Sequence, residues 1–394
     1  MPSVDTGLAI TPLEHSAGFG AIVTGVDLNK LSKEDFKAIE LALYTHRLLV
    51  VKDQPGLHPA KQYELNCRFD PGAEGKHGHG DAKSALKSRN LTGGLPSVPE
   101  ADMVRIVGRG HLPAGHYGTT EPMELKAGSH QSWHKEGLTD KELESGITRF
   151  QRWHMDAQLA VDKGHTARVT TIYAHTLPKG PDVKLRWDDG SGQEMMVAPG
   201  RTAFMDSAKM YEALSDEEKQ WVDFSEVEYA GPNPYEFILS CKGTSNGFSI
   251  VSDDLENLPL ADKPGQRLPL VWLNPVTGER HLSFHMIVAR RIYYRTSREG
   301  ETKVIEDLRE VRRMLDGIQR HFLREENIII APQEEGDLAI WLNRGTRHSA
   351  IEFPSSYGPR VMHQCHLAGS DPVEAPWPIE GQPNPLNLVK PAAA

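Results

Sequence analysis

Three places in the chain put a histidine two residues before an acid: His79-Gly80-Asp81, His134-Lys135-Glu136 and His154-Met155-Asp156. On a β-strand, residues i and i+2 point the same way, so such a pair offers an imidazole and a carboxylate to one metal ion. Two histidines and a carboxylate on one face of the metal, with open positions opposite, is the ligand set of non-haem Fe(II) oxygenases. The chain has 18 histidines and 54 acids, so some matches arise by chance and context must separate the three. His79 lies between Gly78 and Gly80, which hold a ligand loosely. His134 comes just before a turn. His154 ends the strand-like, aromatic segment Arg149–Trp153. As a strand, this segment turns His154 and Asp156 to one face and packs Trp153 and Met155 on the other. Context favours the last pair; the competing reading is a core histidine bonded to nearby backbone.

A third ligand has to come from elsewhere. His281 and His285 are four apart, but in a strand-to-loop region where that spacing does not converge. His348 is better placed: it follows the strand candidate Asp337–Leu342 and the tight turn Asn343-Arg344-Gly345. Twelve residues on, Arg360 begins an alternating apolar strand. A guanidinium there is costly to bury without an anion, and its planar fork matches a carboxylate. The alternative is an exposed arginine with a surface glutamate.

The elements that must position these residues are mostly short. Ser32 to Asp35 opens a helix with Phe36, Ile39 and Leu43 on one face, and Arg47–Lys52 is a buried strand. Residues 53–145 read as long loops rich in Gly, Pro, His and charge. From 147 on, strands dominate: Thr148–Ala157, Arg168–His175, a hairpin over Lys184–Val197, Thr202–Met205, Phe237–Ser240, Pro269–Leu273, His281–Phe284, Asn327–Ala331, Asp337–Leu342, His348–Phe353 and Arg360–Leu367. Helical pieces cover 207–214, the stretch after Ser215, and 303–324, where Ile305, Leu308, Val311, Leu315, Ile318 and Phe322 form one stripe. The fold class is mostly β with flanking helices, a barrel or sandwich.

The chain is 394 residues with a net charge of −10. That balance disfavours nucleic acid and anionic membranes, and no apolar run reaches the ~20 residues of a membrane span. Three scattered cysteines build neither a disulfide framework nor a CxxC site. A reduced cytoplasmic enzyme with a small-molecule partner is the expectation; oligomeric state is left open.

Four motifs together resemble the taurine-dioxygenase-like (TauD/TfdA) family of Fe(II)/2-oxoglutarate-dependent oxygenases. They are Trp153-His154-Met155-Asp156; Gly200-Arg201-Thr202-Ala203-Phe204 with Tyr211–Ser215; Gly336-Asp337, Trp341, Asn343-Arg344 and His348; and Arg360. Within it the chain is most similar to fungal xanthine dioxygenases, through Phe19–Leu28, Ala42–His46, Gln62–Leu65, Arg68–Pro71, His77–Gly80, Thr148–Phe150, Arg152–His154 and Gln364-Cys365. The resemblance implies a double-stranded β-helix (jelly-roll, cupin-like) core within a single domain over 1–394: lead-in 1–52, loop-rich lid 53–146, core 147–370, Pro-rich tail 371–394. It implies Fe(II) held by His154, Asp156 and His348. Thr202 and Arg360 would bind the 2-oxoglutarate carboxylate, O2 would be the oxidant, and ascorbate would support the iron in vitro. A metal hydrolase would use similar ligands without needing Arg360 and Thr202; a binding module would need no triad.

Lys126, Glu142 and Gln364 resemble substrate contacts of the xanthine enzymes. Three places depart: Ala101-Asp102-Met103 where an amide is expected, Leu143 for an acid, and His366 for an asparagine. These departures favour another small polar metabolite, a small amino acid first, with hydroxylation or aziridine-forming cyclisation as the outcome. Lys126 would meet its carboxylate and His366 or Glu142 its amine, while Ile351 and Phe353 shape the apolar side. The alternative is conversion of xanthine to urate.

Overall fold

Short aliphatic and β-branched runs make the strands, and their alternation decides which faces are buried. The computed structural model describes residues 7–78, 96–126, 128–156, 165–230, 241–251 and 265–377. Among these, the largest sheet orders Ala9–Pro12, Ala21–Thr24, Leu48–Val51, Leu338–Leu342, Val169–Thr176, Arg360–His366, Ala101–Leu112 and Ser97–Val98, with Met123–Leu125 along the end of Ala101–Leu112. A smaller sheet orders Ile329–Ile330, Thr202–Asp206 and Thr346–Ala350. Phe204 of the small sheet shares one buried cluster with Val50, Ile172, Trp341 and Met362 of the large one. The two sheets thus enclose an apolar layer, as a mostly β architecture requires.

Helix Lys33–His46 covers the other face of the large sheet: Ile39 and Leu43 pack in a cluster with Leu49, Val51, Leu338 and Ile340. Its start is as read, with Ser32 Oγ accepting from the Asp35 N–H at 2.9 Å. Behind the small sheet, Ala203 and Met205 share the largest cluster with Val311, Leu315 and Ile318 of helix Leu308–Gln319. The hairpin Val183–Arg186/Glu194–Val197 and the Ser215 capping box are also present.

Several expectations are corrected. Residues 53–145 contain helix Pro59–Phe69 and the twelve-residue strand Ala101–Leu112. The helix was hidden because its buried face includes Gln62 and Asn66, whose amides donate to Thr171 Oγ1 at 3.0 and 2.7 Å. Thr148–Ala157 is not a continuous strand: only Ile147–Thr148 is, with isolated bridges at Phe150 and His154. The helix expected over 303–324 spans Leu308–Gln319, because Lys303–Ile305 pairs with Ile292–Tyr294 as a strand. His348 lies inside its strand, Thr346–Ala350, rather than at its start. Phe237–Ser240, His79 and the end of the Pro-rich tail lie outside the described residues.

Candidate metal and active site

Residue 154 reaches the small sheet through one bridge. The His154 N–H donates to the His348 carbonyl and the His348 N–H to the His154 carbonyl, both at 3.0 Å. His348 is also the register partner of Phe204, and its ring packs between Phe204 and Trp341, with centroids 5.9 and 5.0 Å away. Ligand atoms of His154, Asp156 and His348 all lie within 4.8 Å of one another. His154 Nε2 is 3.8 Å from Asp156 Oδ1 and His348 Nε2 is 3.5 Å from Asp156 Oδ2.

The protonation states suit a cation. Burial pushes the His154 imidazole well below its ordinary pKa, and His348 and Arg152 add to this. Burial would raise the Asp156 carboxyl, but His348, His366 and His154 together outweigh it and hold the group well below the usual range. His154 Nδ1 lies 2.9 Å from the Arg152 carbonyl, which accepts the Nδ1–H and so leaves Nε2 with its lone pair.

Arg360 lies at the start of the strand that also carries Gln364. Its Nε donates to the Gly200 carbonyl at 2.6 Å and its Nη2 to Thr202 Oγ1 at 3.5 Å. Among the described residues no carboxylate pairs with it. Burial, with Arg201 nearby, lowers its pKa to about 10. A mostly buried guanidinium lacking a counter-ion is a receptor for an anion.

The structure divides the residues assigned to substrate. The Gln364 amide donates to Asp156 Oδ2 at 3.3 Å, and His366 is buried where Asp156 and Arg105 both act on its ring. These two stand beside the candidate metal ligand Asp156. Lys126 lines a separate cleft of about 320 Å³ with Arg109, His130 and Glu352, and no triad side chain lines it. Glu142 closes the capping box of its own helix with Thr139 and meets Arg186 at 3.3 Å. Ile351 packs in the cluster behind the small sheet; Phe353 is buried, and its carbonyl accepts from Arg109.

His134 is not at the site: its Nε2 lies 2.9 Å from the Gln151 carbonyl. Sequence reasoning missed Arg105, and named His77 only within the resemblance over His77–Gly80. Arg105 sits in register opposite Gln364 and its Nε donates to His77 Nε2 at 3.2 Å. The signal was a cation alternating with apolar residues in Val104–Val107, inside a stretch read as loop.

On this mostly β fold, two histidines and a carboxylate form a group that could hold a metal ion. The sequence signature of the taurine catabolism dioxygenase TauD, TfdA family matches residues 9–366, and the chain belongs to this family of α-ketoglutarate-dependent dioxygenases. It is 37% identical to the α-ketoglutarate-dependent xanthine dioxygenase xan-1 of Neurospora crassa, over 94% of this chain and 89% of that protein. It is equally 37% identical to xanA of Emericella nidulans, over 95% and 99% of the two chains. The α-ketoglutarate-dependent dioxygenase bsc9 of Alternaria brassicicola is 32% identical over 92% and 94%. A taurine dioxygenase from Burkholderia xenovorans shares the fold at a TM-score of 0.55 and 19% identity, covering 95% of this chain and 94% of that one. No helix of the described residues is long and apolar enough to cross a membrane.

Proposed function

We propose that His154, Asp156 and His348 hold Fe(II) and that Arg360, with Thr202, holds the distal carboxylate of 2-oxoglutarate, in a single domain built on a double-stranded β-helix. The observation that carries this reading is the convergence of two imidazoles and a carboxylate within 4.8 Å, on the same fold as a buried Arg360 that pairs with no carboxylate among the described residues. Two imidazoles and a buried carboxylate that converge in this way are a donor set suited to a divalent cation. Fe(II) there would couple oxidative decarboxylation of 2-oxoglutarate by O2, giving succinate and CO2, to oxidation of a substrate C–H bond. The protein's share is positional: His154 and His348 are fixed by mutual backbone bonds, Gln364 orients the Asp156 carboxylate, and Phe204 and Trp341 keep the His348 side dry.

For the substrate, the relatives named as xanthine dioxygenases support the purine reading over the small amino acid. Gln364, which resembles a substrate contact of the xanthine enzymes, presents its amide beside Asp156. Xanthine, 2-oxoglutarate and O2 would give urate, succinate and CO2. Succinate release with Fe(II) and ascorbate, measured with xanthine and with a panel of aliphatic amino acids, tests this. Xanthine-dependent succinate with stoichiometric urate is expected. Release driven only by an amino acid would overturn the purine reading in favour of the other.

A further inference from the structure

The metal-ligand tripeptide His154-Met155-Asp156 is pinned at both ends, and only one end by main chain. At His154 the pairing is an ordinary antiparallel bridge to His348. Among the described residues no strand pairs with Asp156. Instead the Asp156 N–H donates to Asn343 Oδ1 at 2.8 Å, and the Asp156 carbonyl accepts from Asn343 Nδ2 at 2.8 Å. The second Nδ2 hydrogen goes to the Ala167 carbonyl at 3.0 Å. Asn343 is fully buried, and its amide's donors are both used.

We propose that Asn343 is a positioning residue for the metal site, its side-chain amide standing in for the missing strand partner of Asp156. A primary amide offers the same N–H and C=O pair that a facing residue in a ladder offers. Bridged at 154 by backbone and held at 156 by this amide, the tripeptide keeps its first and third side chains on one side, with His154 Nε2 3.8 Å from Asp156 Oδ1. That direction is what lets the two side chains share an ion. Aspartate at 343 would set a carboxylate against two carbonyl oxygens, alanine would leave the Asp156 peptide unpaired, and serine would keep one bond at most.

The neighbouring residue makes a control. Arg344 belongs to the same turn but acts elsewhere: it donates to the Thr166 carbonyl at 3.0 and 2.8 Å and to the Asp371 carbonyl at 2.8 Å. None of its bonds involves Asp156. A role confined to closing the turn would be shared by both residues; a role in setting the ligand belongs to Asn343 alone.

The inference rests on the assignment of His154, Asp156 and His348 as metal ligands, so the test includes Asp156→Ala. Mn(II) binding to the full chain is titrated by the electron paramagnetic resonance signal of the free ion, without turnover, beside thermal melting of the metal-free protein. Asn343→Asp and Asn343→Ala should bind Mn(II) at least ten-fold more weakly than wild type. Asn343→Ser, the milder change kept in case those two fail to fold, should fall between. Arg344→Gln should lower the melting temperature yet bind within about two-fold of wild type. Wild-type affinity in a folded Asn343 variant, or an equal loss in Arg344→Gln, would overturn the inference while leaving the ligand assignment standing. Equal binding by wild type and Asp156→Ala would instead remove the assignment, and the inference with it.

Discussion

The main chains of His154 and His348 bond to each other in both directions at 3.0 Å, and their imidazole centroids lie 4.2 Å apart. A bridge of this kind fixes the directions of both side chains at once, from segments nearly two hundred residues apart in sequence. Both rings depend on the same pair of backbone bonds, so neither ligand can shift without disturbing the other.

His154→Ala, Asp156→Ala and His348→Ala are each expected to abolish turnover and weaken metal binding by well over ten-fold. His134→Ala should keep the metal and lose only ~1–2 kcal/mol of stability, for the buried hydrogen bond to the Gln151 carbonyl. Metal content after desalting checks this. An iron-free His134→Ala beside an iron-loaded His154→Ala would show that the wrong pair has been assigned.

Arg360→Ala should raise the KM for 2-oxoglutarate roughly ten- to a hundred-fold, since a charge-assisted bidentate contact contributes ~1.5–3 kcal/mol. Thr202→Ala should cost about ten-fold at most, because one neutral hydrogen bond contributes ~1 kcal/mol and the Arg360–Thr202 contact is long at 3.5 Å. Steady-state kinetics with 2-oxoglutarate varied would show it; an unchanged KM in Arg360→Ala contradicts the assignment.

Ligand binding to the folded state alone must raise its stability. At free Mn(II) a hundred times its Kd, the gain is about 2.7 kcal/mol. Melting with and without the ion should show this shift in wild type and a much smaller one in Asp156→Ala. A shift of the same size in both would place the ion elsewhere.

Acid stability should reflect a second histidine group. His116 Nε2 and His363 Nε2 are 2.7 Å apart, and burial, aided by His175, lowers the His116 pKa to about 4. Burial, then His116 and His175, lowers that of His363 to about 3. In the unfolded chain histidines titrate near 6.5. Below that pH the unfolded state takes up protons that the folded state refuses, so stability falls as pH drops from about 6.5 toward 4. Melting curves over that range should decline, less steeply in His363→Asn; parallel declines would exclude this pair as a source.

What could be read from the sequence was local. The H-x-D geometry depends on a two-residue period, the helix at Lys33 on a cap three residues long, and the hairpin over 183–197 on its turn. Each is decided by neighbours in the chain. Helix Pro59–Phe69 was missed because Gln62 and Asn66 occupy its buried face, their cost met by Thr171 across the interface. Strand Ala101–Leu112 was missed because Arg105 and Arg109 point from the face that also bears Gln364 and Arg360; Gly108 lets it approach so closely that a Cβ there would sit 1.8 Å from the Arg360 carbonyl oxygen. The Asn343–Asp156 pairing joins residues 187 apart, beyond any local pattern. For substrate contacts, resemblance transfers residue types without their surroundings: the cap that Glu142 closes with Thr139 was not read from the sequence.

Diffraction from crystals grown with Mn(II) and N-oxalylglycine, a 2-oxoglutarate analogue, tests the account most directly. The account requires anomalous density for one ion bonded to His154 Nε2, His348 Nε2 and an Asp156 oxygen, with the far carboxylate of the analogue on Arg360 beside Thr202. An ion bound without Asp156, or an analogue whose far carboxylate sits away from Arg360, would contradict it.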